Sequence, residues 1–371
     1  MSALPGSTDV FVIGGGPAGL AAAIAARRAG MDVTLADGSH PPIDKACGEG
    51  IMPDGVAAAT ALGIRLEDAG AYPFRGIRFS DGASAAAAEF PRGQGLGVRR
   101  TALHRLMVDC ASAAGVRLAW NTRITGIAPE GVLADGRLVT ARWIVGADGG
   151  RSMVRRWAGL EDFHRSSHRF GFRRHYRVAE WSDFMELHWA EGCQLYITPV
   201  GPREICVVSI SRDSSLRLDR ALPRFPKVVQ RLASAQALGA ELGGVSASRR
   251  LKRVYRDRVA LAGDAAGAVD AITGDGLCIL FQEAMALSRA MVKGDLAMYG
   301  AEHRRLTRRP ELMSDLLLTL DRRNGLRGRV LRAMNANPPL FARMLAMHVG
   351  ELSGWNFAAT GLQLGWRMLT L

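Results

Sequence analysis

Apolar and polar positions along the chain fall into two rhythms, and the first to appear is a buried-strand run, Val10-Phe11-Val12-Ile13. Gly14-Gly15-Gly16-Pro17-Ala18-Gly19 follows at once, and then the Ala-rich segment Leu20 to Arg28, an order that predicts strand, tight turn and helix. A second apolar run, Val33-Thr34-Leu35-Ala36, ends in Asp37. Thr101 to Ala114 places Leu103, Leu106, Met107 and Cys110 on one helical face and stops at Gly115, after which Val116 to Trp120 resumes a strand. Ile77 to Phe79 and Ala83 to Phe90 flank Asp81-Gly82 and read as a hairpin, although the alanine run is a poor strand former. Ile124 to Ala147 breaks into short strands at Glu130-Gly131 and Asp135-Gly136.

From Phe170 to Ile210 short apolar runs alternate with turn residues such as Gly192 and Pro199 to Pro202, the pattern of an antiparallel sheet. Pro223 to Leu242 has helical spacing. The wound pattern returns at Arg258 to Ala262, Gly276 to Met291 reads as a helix, and Glu311 to Leu371 is helical with breaks at Asn324-Gly325 and Asn337-Pro338-Pro339. The fold class expected is therefore α/β: a Rossmann-type domain, an antiparallel β-sheet domain and a helical C-terminal region. The expected boundaries are 1–75, 96–160 and 250–310 for a discontinuous Rossmann-type unit, 76–95 and 161–249 for a second domain, and 311–371 for the helical region.

Composition narrows the picture. With 48% hydrophobic residues in 371, the chain can bury a large core. Five scattered cysteines form no C-x-x-C pair, which predicts free thiols, a reducing compartment and a cytoplasmic protein. No apolar run reaches the ~18 residues of a spanning helix, and no signal segment precedes the first strand. The net charge of +13 comes mostly from dispersed arginines, with clusters at Arg249 to Arg253 and His303 to Arg309. No zinc spacing or aromatic pattern accompanies them, so no metal and no nucleic-acid partner is expected, and peripheral membrane contact stays open. Trp355, Phe357 and Trp366 in the last segment suit either helix packing or such a surface.

The first glycine segment carries chemistry. Gly14 permits the tight turn, Gly16 lets a pyrophosphate reach bare backbone, and Gly19 lets helix and strand pack closely. Free N–H groups at the helix start, beside Pro17 and Ala18, favour phosphate. Asp37 stands about 20 residues on, where an acid accepts hydrogen bonds from a ribose. The unit predicts an adenine dinucleotide. A turn-rich loop from Gly38 to Pro53, with Lys45-Ala46-Cys47-Gly48-Glu49-Gly50, lies where a ligand wall is expected.

Two later segments share the property of an apolar strand running into glycines and an acid: Gly146-Ala147-Asp148-Gly149-Gly150-Arg151-Ser152 and Gly263-Asp264 through Thr273-Gly274-Asp275-Gly276-Leu277. Together the three segments resemble the flavoprotein superfamily of para-hydroxybenzoate hydroxylase, which includes class A monooxygenases, geranylgeranyl reductases and flavin-dependent halogenases. The resemblance spans Asp9 to Met291. It implies FAD, with its pyrophosphate on Gly14, Gly16, Pro17, Ala18 and Gly19, and Asp37 on its ribose. It further implies Arg100 of an R-x-x-L setting near the phosphates, Asp148 beside the cofactor, Gly263 and Asp264 on the ribityl chain, and Gly274, Gly276 and Leu277 bringing a helix start to the flavin pyrimidine.

Pocket-wall candidates by the same resemblance are Cys47, Ala271, which stands where the family usually has Pro, and Thr273. Cys47-Gly48-Glu49-Gly50 and Thr273-Gly274-Asp275-Gly276 lean toward the geranylgeranyl reductases, and the Trp-x-Trp of halogenases is missing. His175, Tyr176, His188 and Tyr196 lie in the second sheet as pocket or structural residues, and Arg173 or Arg174 either attracts an acidic substrate or carrier or sits on a strand edge. The expectation is an FAD-dependent oxidoreductase acting on a hydrophobic or aromatic small molecule, free or carrier-bound. Monooxygenation stands slightly ahead of carbon–carbon double-bond reduction, with a flavin-binding protein without turnover as a third reading. NADH or NADPH would serve as a transient electron donor. The oligomeric state is left open.

Overall fold

In the computed structural model, which describes residues 4–351 except 166 and 180, the first glycine segment sits at the carboxyl end of the strand Ser7–Ile13, inside an eight-stranded sheet. Val33–Asp37 and then Arg117–Trp120 lie on one side of that strand, and Arg137–Gly146 and then Val259–Leu261 on the other, all paired in parallel. The strand order therefore reverses at Ser7–Ile13, which opens a crevice at the carboxyl ends where open α/β sheets bind ligands. Val10, Phe11 and Val12 are fully buried, as strands covered on both faces require. The hairpin Ile124–Ala128 and Gly131–Ala134 attaches antiparallel to Arg137–Gly146.

Seven helices matter for the site: α1 (Pro17–Arg28), α2 (Pro53–Ala61), α3 (Arg100–Ala113), α4 (Gly276–Lys293), α5 (Leu296–Arg322), α6 (Asn324–Ala336) and α7 (Pro338–His348). Helix α1 packs on the sheet and against α3 and α4. Its buried alanines, Ala21 to Ala23 with Ala25 and Ala26, permit close approach, and Ser288 Oγ of α4 donates to the Ala25 carbonyl at 3.0 Å. Among the described residues no helix is long and apolar enough to cross a membrane.

A second, seven-stranded sheet runs in the order Gln236–Ser246, Arg169–Arg177, Glu204–Ser211, Cys193–Gly201, Phe184–Ala190, Gly76–Ser80, Ala85–Glu89. Only the pairing of Phe184–Ala190 with Gly76–Ser80 is parallel. The hairpin across Asp81-Gly82 thus belongs to this sheet. The helix expected over Pro223 to Leu242 is shorter: Pro226–Leu232 is helical, and Gln236–Ser246 is a strand on Arg169–Arg177. Gly239, at φ +72°, with Gly243 and Gly244 makes the segment a poor helix, and strand pairing wins.

The C-terminal helices cover the far end of that sheet. Helix α5 runs unbroken through the buried Pro310, so the boundary expected at residue 311 falls inside it. Helices α6 and α7 lie on the strand Ala85–Glu89, where Ala86 and Ala88 are buried. The alanine run that weakens this strand locally is what lets two helices approach it closely. Trp355, Phe357 and Trp366 lie outside the described residues.

Candidate active site

The three glycine-and-acid segments meet at the crevice. Gly14 has φ +113°, and a Cβ there would run into the Ala147 carbonyl; a Cβ on Gly19 would strike the Gly14 carbonyl. Gly263, at φ +58°, leaves no room for a side chain against Ala18. A Cβ on Gly16, or on Gly276 at the start of α4, would by contrast meet nothing within 4 Å. The tight positions hold the corners together, and the open ones leave bare helix starts facing the cleft.

Each sequence-predicted residue has a definite place. Asp37 accepts from the Gly15 N–H at 2.6 Å through Oδ2 and from the Ser39 N–H at 2.7 Å through Oδ1, so its carboxylate is fixed beside the glycine turn. Asp148 Oδ2 accepts from the N–H groups of Met153 and Val154 at 2.7 and 3.1 Å, holding the first turn of Met153–Trp157, while its buried Oδ1 has no partner among the described residues. Asp264 is half-exposed and takes Lys45 Nζ on Oδ2 at 2.7 Å. Burial raises its carboxyl pKa, but Lys45, Arg100 and Arg249 together outweigh that and hold it below the usual range. Arg100 is buried with Nε unpartnered among the described residues.

Pro17 is buried and Ala18 half-buried at the start of α1, and Leu277 is buried in the first turn of α4. Gly274 has φ +72° at the end of the turn Ala271–Thr273. Ile272 and Thr273 turn inward, while Ala271 is exposed and donates its N–H to Ser246 Oγ at 3.0 Å. Ala271 therefore does not line the apolar cavity described below.

Several contacts had no motif to announce them. His104, four residues after Arg100 and so on the same face of α3, places Nε2 2.8 Å from the Gly15 carbonyl. Burial lowers its pKa, so the neutral ring with Nε2–H donating fits this contact. Arg155 donates to the Ala265 carbonyl at 3.2 Å and the Gly150 carbonyl at 3.0 Å, tying the second corner to the third. The loop Lys45 to Gly50 is pinned by Glu49, a fully buried carboxylate at φ +61°. Glu49 accepts from the Arg100 N–H, from Arg173 Nη1 at 2.9 Å, and faces His175 Nε2 at 2.7 Å.

That network settles several second-sheet candidates. Arg173 also reaches Asp44, Arg174 pairs with Asp219, and His188 sits 2.8 Å from Glu186, so these groups are internally partnered. Tyr176 is buried, and Tyr196 donates its hydroxyl to the Ile272 carbonyl at 3.0 Å. Glu49, His175 and Cys206 bring one ligand atom each within 4.8 Å of one another, but the carboxylate already serves Arg100 and Arg173. Burial pushes the Cys47 thiol up, with Arg100 opposing, so it stays protonated at neutral pH. The two basic clusters face each other across a cleft of about 280 Å³ beside Asp264, and Arg250 pairs there with Glu311 at 2.9 Å.

A separate cavity of about 40 Å³ lies between the second sheet and α5 to α7, with Ile272 and Thr273 on its wall. Its lining is apolar apart from Tyr196, Thr273 and His348, and includes Met185, Met313, Met334 and Met344. Unbranched methionines repack around irregular apolar shapes at little cost, so this small space can enlarge.

The sequence from residue 7 to 294 matches the family model described as an FAD binding domain. The chain belongs to that family. Among its relatives, the menaquinone reductase of Mycobacterium tuberculosis is 30% identical over 308 residues, 73% of this chain and 73% of the relative. Digeranylgeranylglycerophospholipid reductase 1 of Methanopyrus kandleri is 30% identical over 294 residues, 72% and 76% of the two chains. The solved structure of a flavin-dependent brominase superposes with a TM-score of 0.82 over 97% of this chain and 98% of its own, at 17% identity, a likeness of fold. The protein is an FAD-dependent oxidoreductase of the para-hydroxybenzoate hydroxylase superfamily. The open backbone at Gly16 and Gly276 and the unpartnered Arg100 Nε and Asp148 Oδ1 fit FAD.

Proposed function

We propose that this flavoprotein reduces a carbon–carbon double bond in an apolar, chain-like substrate. The observation that carries the reading is the lining of the cavity next to Thr273: methionine, leucine, isoleucine and phenylalanine, with the Tyr196 and Thr273 hydroxyls already donating to carbonyls. A polar aromatic substrate would find only His348 Nδ1 open to it there, and each further polar group it carries would go unpaired at about 1–3 kcal/mol. An alkenyl chain meets no such penalty. The names of the two relatives, reductases of menaquinone and of digeranylgeranylglycerophospholipid, lend the same direction.

FAD, when bound, supplies two-electron chemistry. Within this reading Gly14, Gly16, Gly19 and the start of α1 hold its pyrophosphate, Asp37 its ribose, and Asp264 its ribityl chain. Arg100 lies near the phosphates and Asp148 beside the cofactor. The first N–H groups of α4, at Gly276 and Leu277, stabilise negative charge on the reduced ring. Ile272, Thr273 and the helices α5 to α7 exclude water. NADH or NADPH is the proposed transient donor.

The test incubates dithionite-reduced holoprotein with geranylgeraniol, which has no quinone to reduce, without oxygen and reads product mass. A gain of two hydrogens is expected. Incorporation of one atom from labelled oxygen gas under aerobic turnover would replace this reading with monooxygenation, and absence of any product or NAD(P)H oxidation would leave a flavin-binding protein.

A further inference from the structure

His348, the last residue of α7, lines the apolar cavity, and its Nε2 lies 3.3 Å from Oδ1 of Asp275, the residue that precedes Gly276 at the start of α4. Both side chains are more than nine-tenths buried, each at 7% exposure. His348 Nδ1 and Asp275 Oδ2 have no hydrogen-bond partner among the described residues. The other polar groups on the cavity wall are spent, Tyr196 on the Ile272 carbonyl and Thr273 on the Asp270 carbonyl. Nδ1 is thus the one nitrogen or oxygen of the described lining side chains left without a protein partner. A buried polar atom kept unpaired in an apolar wall is costly and calls for an explanation, a catalytic role being one.

We propose that His348, held by Asp275, is the residue that exchanges a proton with the substrate in this cavity. The proposal rests on the reductive reading above. Asp275 Oδ1, 3.3 Å from Nε2, favours a proton on that nitrogen and leaves Nδ1 as the exchanging atom. In reduction, the alkene π pair forms a C–H bond with the Nδ1 proton of the imidazolium, the Nδ1–H bond breaks and its electron pair stays on nitrogen. A hydride from reduced FAD bonds to the other carbon. The products are the saturated pair of carbons, oxidised FAD and neutral imidazole, whose Nδ1 takes its next proton from solvent.

The groups around the couple come from three other elements. Asp54 of α2 takes Gln282 of α4 at 3.1 Å and lies 3.7 Å from Arg309 of α5, and Cys278 of α4 faces both carboxylates. Burial raises the Asp54 and Asp275 carboxyls, with His348 and Arg309 opposing in both, and raises the Cys278 thiol well above its usual range. The charge of the Asp275 carboxylate therefore depends on His348 and Arg309, which couples it to the ring.

The experiment is ¹⁵N NMR of imidazole-labelled full chain loaded with FAD, with Asp275→Ala and His348→Gln beside the wild type. Neutral His348 is expected as the Nε2–H tautomer in the wild type and as a tautomer mixture in Asp275→Ala. His348→Gln is expected to bind FAD and be reduced by dithionite as the wild type does, but to saturate geranylgeraniol at least ~100-fold more slowly. A wild-type Nδ1–H tautomer, a ratio unmoved by Asp275→Ala, or turnover of His348→Gln within about threefold of wild type would overturn the proposal. If the wild-type product gains oxygen, or no product forms, the reductive reading fails and the donor role with it, whichever tautomer is found.

Discussion

Gly14 and Gly16 are two residues apart, yet the geometry assigns them opposite failures. Gly14 has φ +113°, and a methyl group there collides with the Ala147 carbonyl and the Asp148 N–H. Left-handed backbone costs a non-glycine residue ~1–2 kcal/mol and overpacking adds ~1–3 kcal/mol, so Gly14→Ala should lose ~2–5 kcal/mol of stability. Gly16 has φ −71° and ψ 175°, ordinary for alanine, and its added methyl meets no protein atom within 4 Å. Gly16→Ala should leave apoprotein stability within ~1 kcal/mol of wild type. Its methyl would instead stand where a phosphate must reach the bare start of α1, weakening FAD about 10- to 100-fold, or ~1.4–2.8 kcal/mol. Urea melts of the apoproteins and FAD titration by flavin fluorescence separate the two effects. Wild-type FAD affinity in Gly16→Ala, or equal destabilisation in both variants, would refute the assignment of the pyrophosphate to this turn.

Other consequences can be measured the same way. Asp264→Ala should release FAD while retaining the apoprotein fold, and Lys45→Ala should weaken FAD less, because Lys45 orients the carboxylate without being the expected ribityl ligand; equal, unchanged flavin content in both would contradict this. Arg155→Met leaves the Ala265 and Gly150 carbonyls without their donor and should cost ~2–4 kcal/mol in denaturant melts. Glu186 is buried, which raises its carboxyl, but His188, Ser182 and Arg78 hold it below its ordinary value. A depressed carboxyl contributes stability above its unfolded pKa that is lost as pH falls through its folded one. Glu186→Gln should therefore be less stable than wild type at neutral pH, and the gap should narrow in acid; a gap constant down to the acid limb would count against the pairing.

The sheet centred on Ser7–Ile13 and its glycine corners were legible in the sequence because close backbone approach has one chemical solution. Only glycine fits where a carbonyl oxygen stands 1.8 Å (Gly19) or 2.4 Å (Gly14) from where a Cβ would be, so the spacing survives as a readable pattern. Asp37 and Asp264 were legible as the acids that follow such corners. His104, Arg155 and Lys45 were not, since each acts on a partner brought near by the topology and none needs a fixed sequence neighbour. The i, i+4 spacing of Arg100 and His104 on α3 was the one local signal available. The strand Gln236–Ser246 was misread because its apolar spacing suits either state, and pairing with Arg169–Arg177 decides the matter from a distance.

The part of the chain that selects the reaction was the least legible. The family model describes an FAD binding domain, and the relatives it sits among are named as reductases and as a monooxygenase, so the cofactor fold leaves the chemistry open. The wall opposite is made by α5, α6 and α7 over the second sheet, with Met313, Met334 and Met344 on one side and Met185 on the other. None of these positions has a motif, because an apolar wall needs volume and flexibility and makes no demand on spacing. The position the proposal singles out is His348, which comes within 3.3 Å of Asp275 from 73 residues away in sequence. On the proposed reading, a helix end that delivers a single unpaired polar atom to a mostly apolar wall is where the choice between reactions becomes a property of this chain.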